Sequence, residues 1–149
     1  MNILAPISSI MTKDLVTVMP SDNLEKVKTL LDTHNIHHLP VVRYNQIVGI
    51  ISSVDFNHFL RGFTRNVQDS LIEAARLRAW TAEEIMTEKL AKVEAADPIR
   101  VALDVFKLNR IHALPVEENG KLVGIITTYD IIKLLSEEQV NLSDYAAAS

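Results

Sequence analysis

Residues 48–55 read VGIISSVD, and residues 123–130 read VGIITTYD. Shifting the chain against itself by 75 residues lays Ile10-Met11-Thr12 on Ile85-Met86-Thr87, Asp22 on Asp97, and Ile36-His37 on Ile111-His112. It also lays Leu39-Pro40-Val41 on Leu114-Pro115-Val116, and no gap is needed from Ile10 through Leu60. A register held over about fifty residues means two copies of one structural unit. A third copy does not fit. That excludes a solenoid and implies two halves closing on each other around a pseudo-twofold axis.

Within the first copy, LVTV at 15–18 is a short β-prone run, and Asp22 with Glu25 has the spacing of a helix N-terminus with a capping box. Leu24, Val27, Leu30 and Leu31 then recur at helical spacing up to His34. LPVV at 39–42, a polar break at Tyr44-Asn45-Gln46, and IVGIIS at 47–52 read as a β-hairpin. The second copy repeats the plan, with Asp97 as the cap, Pro98 in the first helical turn and Glu118-Asn119-Gly120 as the hairpin turn. Asp55 and Asp130 each open a further helix. The fold class is therefore α+β, with two pseudo-symmetric β-α-β-β-α repeats packed sheet to sheet in one compact module, since neither copy buries both faces of its sheet alone.

The expected division is repeat one over 1–61, a connecting helical linker over 62–83, repeat two over 84–138, and a frayed tail over 139–149. The linker's Val67, Leu71, Ala74 or Ala75 and Trp80, set among Arg and Glu, give an amphipathic helix. It either packs against the module or serves a partner or dimer mate.

Composition then removes function classes. A net charge of −4 lacks the basic surface of a general nucleic-acid binder, and Arg61, Arg65, Arg76 and Arg78 are interrupted by Asp69 and Glu73. With no cysteine there is no disulfide framework, thiolate nucleophile or cysteine metal site. No run approaches the ~20 apolar residues of a membrane span, and MNILAPISSIMTKD has no signal-peptide pattern, so the expected location is cytoplasmic without membrane attachment. His34, His37 and His38 lie close together but lack acidic or cysteine co-ligands, and no metal site is expected. No P-loop, HExxH or GxSxG is present, and the chain reads as a non-enzyme.

The repeated phrase itself has two physical readings. In the first, Asp55 and Asp130, helped by the hydroxyls, are N-caps satisfying free backbone N–H groups. Alternatively each helix start faces a cleft where its dipole and free N–H groups favour an anion. The aspartate there accepts two hydrogen bonds from a ribose diol while Ser52 or Thr127 donates to a phosphate.

The order IMT, strand, helix, IHHLPVV or IHALPVE, then VGIISSVD or VGIITTYD resembles the cystathionine β-synthase (CBS) domain in tandem, the arrangement called a Bateman module. The resemblance covers residues 10–60 and 85–135. It implies a stand-alone regulatory module binding an adenosine ligand in clefts between the repeats, with AMP, ADP or ATP ahead of S-adenosylmethionine and no required cofactor. The preferred cleft takes Asp130, Thr127 and His112 from copy two and is lined for the adenine by Thr12, Val16, Thr17 and Ile36. By symmetry the second takes Asp55, Ser52, His37 and His38 from copy one, with Thr87, Ala91, Lys92 and Ile111. Lys92 stands where the preferred cleft has Thr17, and either meets phosphates or blocks the base. Many relatives place an arginine after the repeated histidine; His38 and Ala113 stand there instead, which favours a monophosphate or a less charged adenosyl ligand. The resemblance further implies a homodimer in which two modules form a disc, and a protein effector. A ligand-free dimerisation or interaction module is the alternative from another class.

Overall fold

In the computed structural model, which describes residues 1–62 and 69–139, the sequence repeat becomes a repeat of elements. The first half runs α1 (Leu24–His34), β1 (His38–Arg43), β2 (Gln46–Ser52) and α2 (Ser53–Arg61). After α3 (Asp69–Ala79) and α4 (Ala82–Ile85), the second half runs β3 (Val93–Glu94), α5 (Ile99–Asn109), β4 (Ala113–Glu118), β5 (Lys121–Thr127) and α6 (Thr128–Glu137). β1 and β2 form an antiparallel hairpin, and β4 and β5 form another to which β3 adds in parallel. The strand expected at 15–18 shrinks to a single parallel bridge between Val18 and Val41, the counterpart of β3 on β4.

Local chemistry explains the punctuation. Both hairpins turn on two consecutive residues at positive φ, Tyr44-Asn45 and Asn119-Gly120, the combination that matches strand twist in a tight hairpin. Asp22 and Asp97 do not cap their helices. Their carboxylates instead close the preceding turns, accepting from Met19 N at 2.8 Å and Glu94 N at 2.9 Å. Asn23 is the cap of α1, accepting from Lys26 N at 3.0 Å, whereas α5 starts from Pro98 with no side-chain cap. Both helices end on a left-handed residue, Asn35 and Arg110.

The halves exchange their leading segments. Ile7 N donates to Asp97 O at 2.8 Å, Ser8 N to Ala95 O at 3.0 Å, and Ile99 N to Ala5 O at 2.9 Å. The bonds 75 residues along are also made: Ala82 N to Asp22 O at 2.8 Å, Glu83 N to Pro20 O at 3.1 Å, and Leu24 N to Trp80 O at 3.0 Å. Ile7 is therefore buried in the second half's core with Ile99, Phe106 and Leu114, and Ala82 in the first half's with Leu24, Leu39 and Phe56. The packing units thus differ from linear boundaries at 61 and 84, because each core is completed by residues that precede the other.

The repeated Gly-Ile-Ile now has a cause. Thr12 N donates to Ile125 O at 2.8 Å and Thr12 O accepts from Ile125 N at 3.0 Å, while Thr87 and Ile50 make the same pair at 2.9 and 3.1 Å. This brings Met11 onto Gly124 and Met86 onto Gly49. A Cβ on Gly124 would lie 2.6 Å from Met11 Sδ, and one on Gly49 would lie 2.7 Å from Met86 Cγ. Each glycine is the seat of the other repeat's methionine.

α3 carries the expected linker helix and packs on α1, burying Leu77, while Trp80 stacks edge-on against Phe59 with ring centroids 5.1 Å apart. Leu71 stays 81% exposed. Val67, Arg65 and the stretch 140–149 lie outside the described residues. Among those residues no helix is long and apolar enough to cross a membrane.

Candidate functional site

The start of α6 follows from its first residues. Thr127 is the N-cap, and its hydroxyl accepts from Asp130 N at 3.2 Å. In return Asp130 Oδ2 accepts from Thr127 N and from Thr127 Oγ1, both at 2.7 Å. This is a capping box with aspartate at the third helical position. The hydroxyl residue, not the aspartate, is the cap, which corrects the reading of Asp130 as a helix opener. Thr128 N donates back to His112 O at 3.0 Å. Among the described residues Tyr129 N–H has no partner, and Asp130 Oδ1 accepts no bond.

These groups border a cavity of about 770 Å³ between the halves. Thr12, Asp14, Leu15 and Val16 form one wall, held in place by the Thr12–Ile125 pairing. Asn35, Ile36, His37, His38 and Pro40 form the second, and His112, Ile125, Thr127, Thr128, Tyr129, Asp130 and Lys133 the third. The volume lies in the range of small-molecule sites. Apolar Val16, Ile36 and Ile125 suit a flat heterocycle, and polar groups come from every wall: Thr12 and Asp14, Asn35 and the histidines, and the start of α6.

Of the residues expected in the preferred cleft, Thr12, Val16, Ile36, His112, Thr127 and Asp130 line this cavity. Thr17 does not. It is exposed, and the neighbouring Val18 makes the bridge to β1. His37 and His38, grouped with the second cleft on sequence, line the same cavity as His112. Sequence reasoning missed Asp14, Asn35, Tyr129 and Lys133. Lys133 was findable, since it lies one helical turn beyond Asp130 on the same face.

The rest of the second set, Ser52, Asp55, Thr87, Ala91, Lys92 and Ile111, does not line the 770 Å³ cavity. Ser52 caps α2, accepting from Asp55 N at 3.0 Å, but no hydrogen bond returns from the Asp55 carboxylate among the described residues. Thr87 is engaged with Ile50, and Ile111 packs against the second core. Lys92 Nζ pairs with Glu117 Oε1 at 2.8 Å.

His38 is half-buried, and burial, followed by the nearby His37 and His112, pushes its imidazole below the ordinary histidine range while Asp55 pulls the other way. His37 Nδ1 lies 3.3 Å from Ser53 Oγ. Among the described residues no group of three or more His, Cys, Asp or Glu is placed to hold a metal ion.

A family model described as the CBS domain matches residues 7–62 and again 82–137. The chain is 31% identical over 136 residues to the 5′-AMP-activated protein kinase subunit gamma-3 of Bos taurus, covering 89% of this chain and 27% of that protein. It is 32% identical over 125 residues to the inosine-5′-monophosphate dehydrogenase of Thermoplasma acidophilum, covering 83% and 22%. The chain thus spans about a quarter of the length of these two curated relatives. Among solved structures, an uncharacterised conserved protein from Pyrococcus horikoshii superposes with a TM-score of 0.74 at 26% identity, covering 95% of this chain and 98% of the other. The CBS domain pair of protein MJ0100, in complex with 5′-methylthioadenosine and S-adenosyl-L-methionine, superposes with a TM-score of 0.72 at 25% identity, covering 91% and 99%.

Proposed function

Because this chain belongs to the CBS-domain family and carries two copies of the domain, at 7–62 and 82–137, we propose that it is a regulatory module binding an adenosine ligand in the Asp130 cleft. The supporting observation is the cavity itself: one space between the halves combines an apolar wall, a capped helix start and a cluster of imidazoles. Adenine stacks between Val16 and Ile36, with Thr12 at its edge. The ribose diol donates to the unoccupied Oδ1 of Asp130. The 5′ substituent points toward Thr127, the Tyr129 N–H and His112, where the helix dipole favours negative charge. AMP, ADP and ATP are the leading ligands, and S-adenosylmethionine follows.

The second cleft, built on Ser52 and Asp55, is the weaker site in this reading, since Lys92 is held by Glu117. The module acts without catalysis. Ligand alters the balance between conformations that bind it unequally, and a homodimer or a protein effector reads the result. The competing reading, a dimerisation module whose repeat serves packing alone, draws on the exposed Val54, Ile132 and Leu135 of α2 and α6, at 74%, 61% and 50%.

Thermal melting with AMP, ADP, ATP and S-adenosylmethionine separates the two. Binding raises stability by mass action, about 2.7 kcal/mol at a ligand concentration one hundred times Kd. The adenosine reading expects a saturable rise with at least one compound. A midpoint unmoved by all four, in a dimer that stays intact, contradicts it.

A further inference from the structure

Three imidazoles meet at one cavity. His37 and His38 enter from the start of β1 in the first half, and His112 from the segment before β4 in the second. His38 has Ala113 as its counterpart 75 residues on, so the third imidazole belongs to one half only. The fixed charges around them are the carboxylates of Asp14 and Asp130, the ammonium of Lys133 and, acting on His38 from α2, the carboxylate of Asp55. With all three imidazoles neutral, these sum to two net negative charges. An anionic ligand tail then enters a cavity of its own sign, whereas each imidazolium formed adds one positive charge.

We infer that the cleft discriminates neutral from anionic adenosine ligands by taking up a proton on the His37–His38–His112 cluster, with His38 setting the strength of that coupling. The inference rests on the adenosine reading of this same cavity. Burial, and after it the two imidazole neighbours, hold His38 below the ordinary histidine range, while Asp55, from α2, favours its proton. The other groups facing the cluster are Asp14 from the Thr12–Val16 wall, and the Asp130 carboxylate, Lys133 ammonium and Tyr129 phenol from α6. A phosphate placed among the imidazoles supplies the missing negative partner and stabilises the charged form. Binding of the anion and of the proton are therefore linked, and each strengthens the other.

Two probes test this. 5′-Methylthioadenosine carries no charge near neutral pH. The methyl ester of AMP is a phosphodiester with one charge that does not titrate there, unlike AMP, whose second ionisation near pH 6 would confuse the result. Calorimetric titrations run from about pH 8 to about pH 5.5, in buffers of differing ionisation enthalpy, read both affinity and protons taken up. The diester is expected to tighten roughly tenfold over this range with net proton uptake, while 5′-methylthioadenosine stays within about twofold. His38→Gln, checked for an unchanged melting profile near neutral pH, is expected to remove most of the diester's pH dependence. Diester affinity that is flat with pH and without proton uptake, or a slope that survives His38→Gln, overturns the inference. So does a diester that never binds while 5′-methylthioadenosine does. If neither probe binds at any pH, the adenosine reading falls and this inference falls with it.

Discussion

The starts of α2 and α6 are the same phrase put to different use. At α6 the Thr127 hydroxyl and the Asp130 carboxylate bond reciprocally, at 2.7 to 3.2 Å, on the wall of the large cavity. At α2 the Ser52 hydroxyl still caps, but the Asp55 carboxylate makes no return bond among the described residues, and neither residue reaches that cavity. What both starts keep is backbone geometry: Ser53 N donates to His37 O at 2.8 Å, and Thr128 N to His112 O at 3.0 Å. A duplicated unit must preserve the bonds that position its helix. Its side chains are free to differ, and here they do.

The largest expected effect probes the segment exchange, where the halves differ in side-chain size. Ile7 is 0% exposed in the second half's core while its counterpart is the small Ala82. Ile7→Ala should cost about 2–5 kcal/mol by urea denaturation, as a large-to-small core change does. A loss under about 1 kcal/mol would mean that the N-terminal segment does not complete that core. The glycine seats should behave alike in both halves. Gly49→Ala and Gly124→Ala each force a Cβ against a methionine side chain and are expected to cost about 1–3 kcal/mol. One glycine tolerating alanine would break the symmetry of the exchange.

The helix starts come next. Thr127→Ala removes the hydroxyl's bond from Asp130 N and its bond to the Asp130 carboxylate, leaving the one from Thr127 N, and should cost about 1–2 kcal/mol, against about 0.5–1 kcal/mol for Ser52→Ala. Equal losses would place the same box at both starts. Acid titration sharpens the contrast between His38 and Ala113. Since the fold disfavours protonated His38, stability should fall as pH drops below the ordinary histidine value of about 6.5, the loss becoming complete once pH is below the lowered folded value. Denaturation of His38→Gln should show a shallower decline; an identical slope would assign the acid sensitivity to other groups. The smallest effect belongs to Lys92→Ala, whose partly exposed pair with Glu117 should contribute no more than about 1 kcal/mol.

Much of the architecture was legible because it rests on periodicity. The 75-residue register gave two copies of one unit, the first copy's leading strand being reduced to a bridge, and each of the two hairpins formed with a bulge at the equivalent place, after Val41 and after Val116. The exchange of leading segments was not legible. Ala5–Ser8 and Trp80–Glu83 share no residues at matched positions, and their common role lies in backbone bonds that carry no side-chain signature. Capping was misassigned for a related reason: Asp22 and Asp97 repeat faithfully, yet they close turns, and the cap of α1 falls on the neighbouring Asn23. The cleft was partly legible. Residues of the repeated motifs marked Thr127, Asp130 and His112, and helical spacing from Asp130 reaches Lys133, while Asp14 and Asn35 have no motif and are gathered only by folding.

The central proposal, that an adenosine ligand occupies the Asp130 cleft, is tested most directly by calorimetric titration of 5′-methylthioadenosine and AMP into the wild-type chain and its Asp130→Ala and Asp55→Ala variants. Losing a charged acceptor of the ribose diol, worth about 1.5–3 kcal/mol, should weaken binding by roughly ten- to a hundredfold in Asp130→Ala. Asp55→Ala should bind 5′-methylthioadenosine as the wild type does. The proposal is contradicted if Asp55→Ala loses binding while Asp130→Ala retains it, or if the wild-type chain binds neither compound.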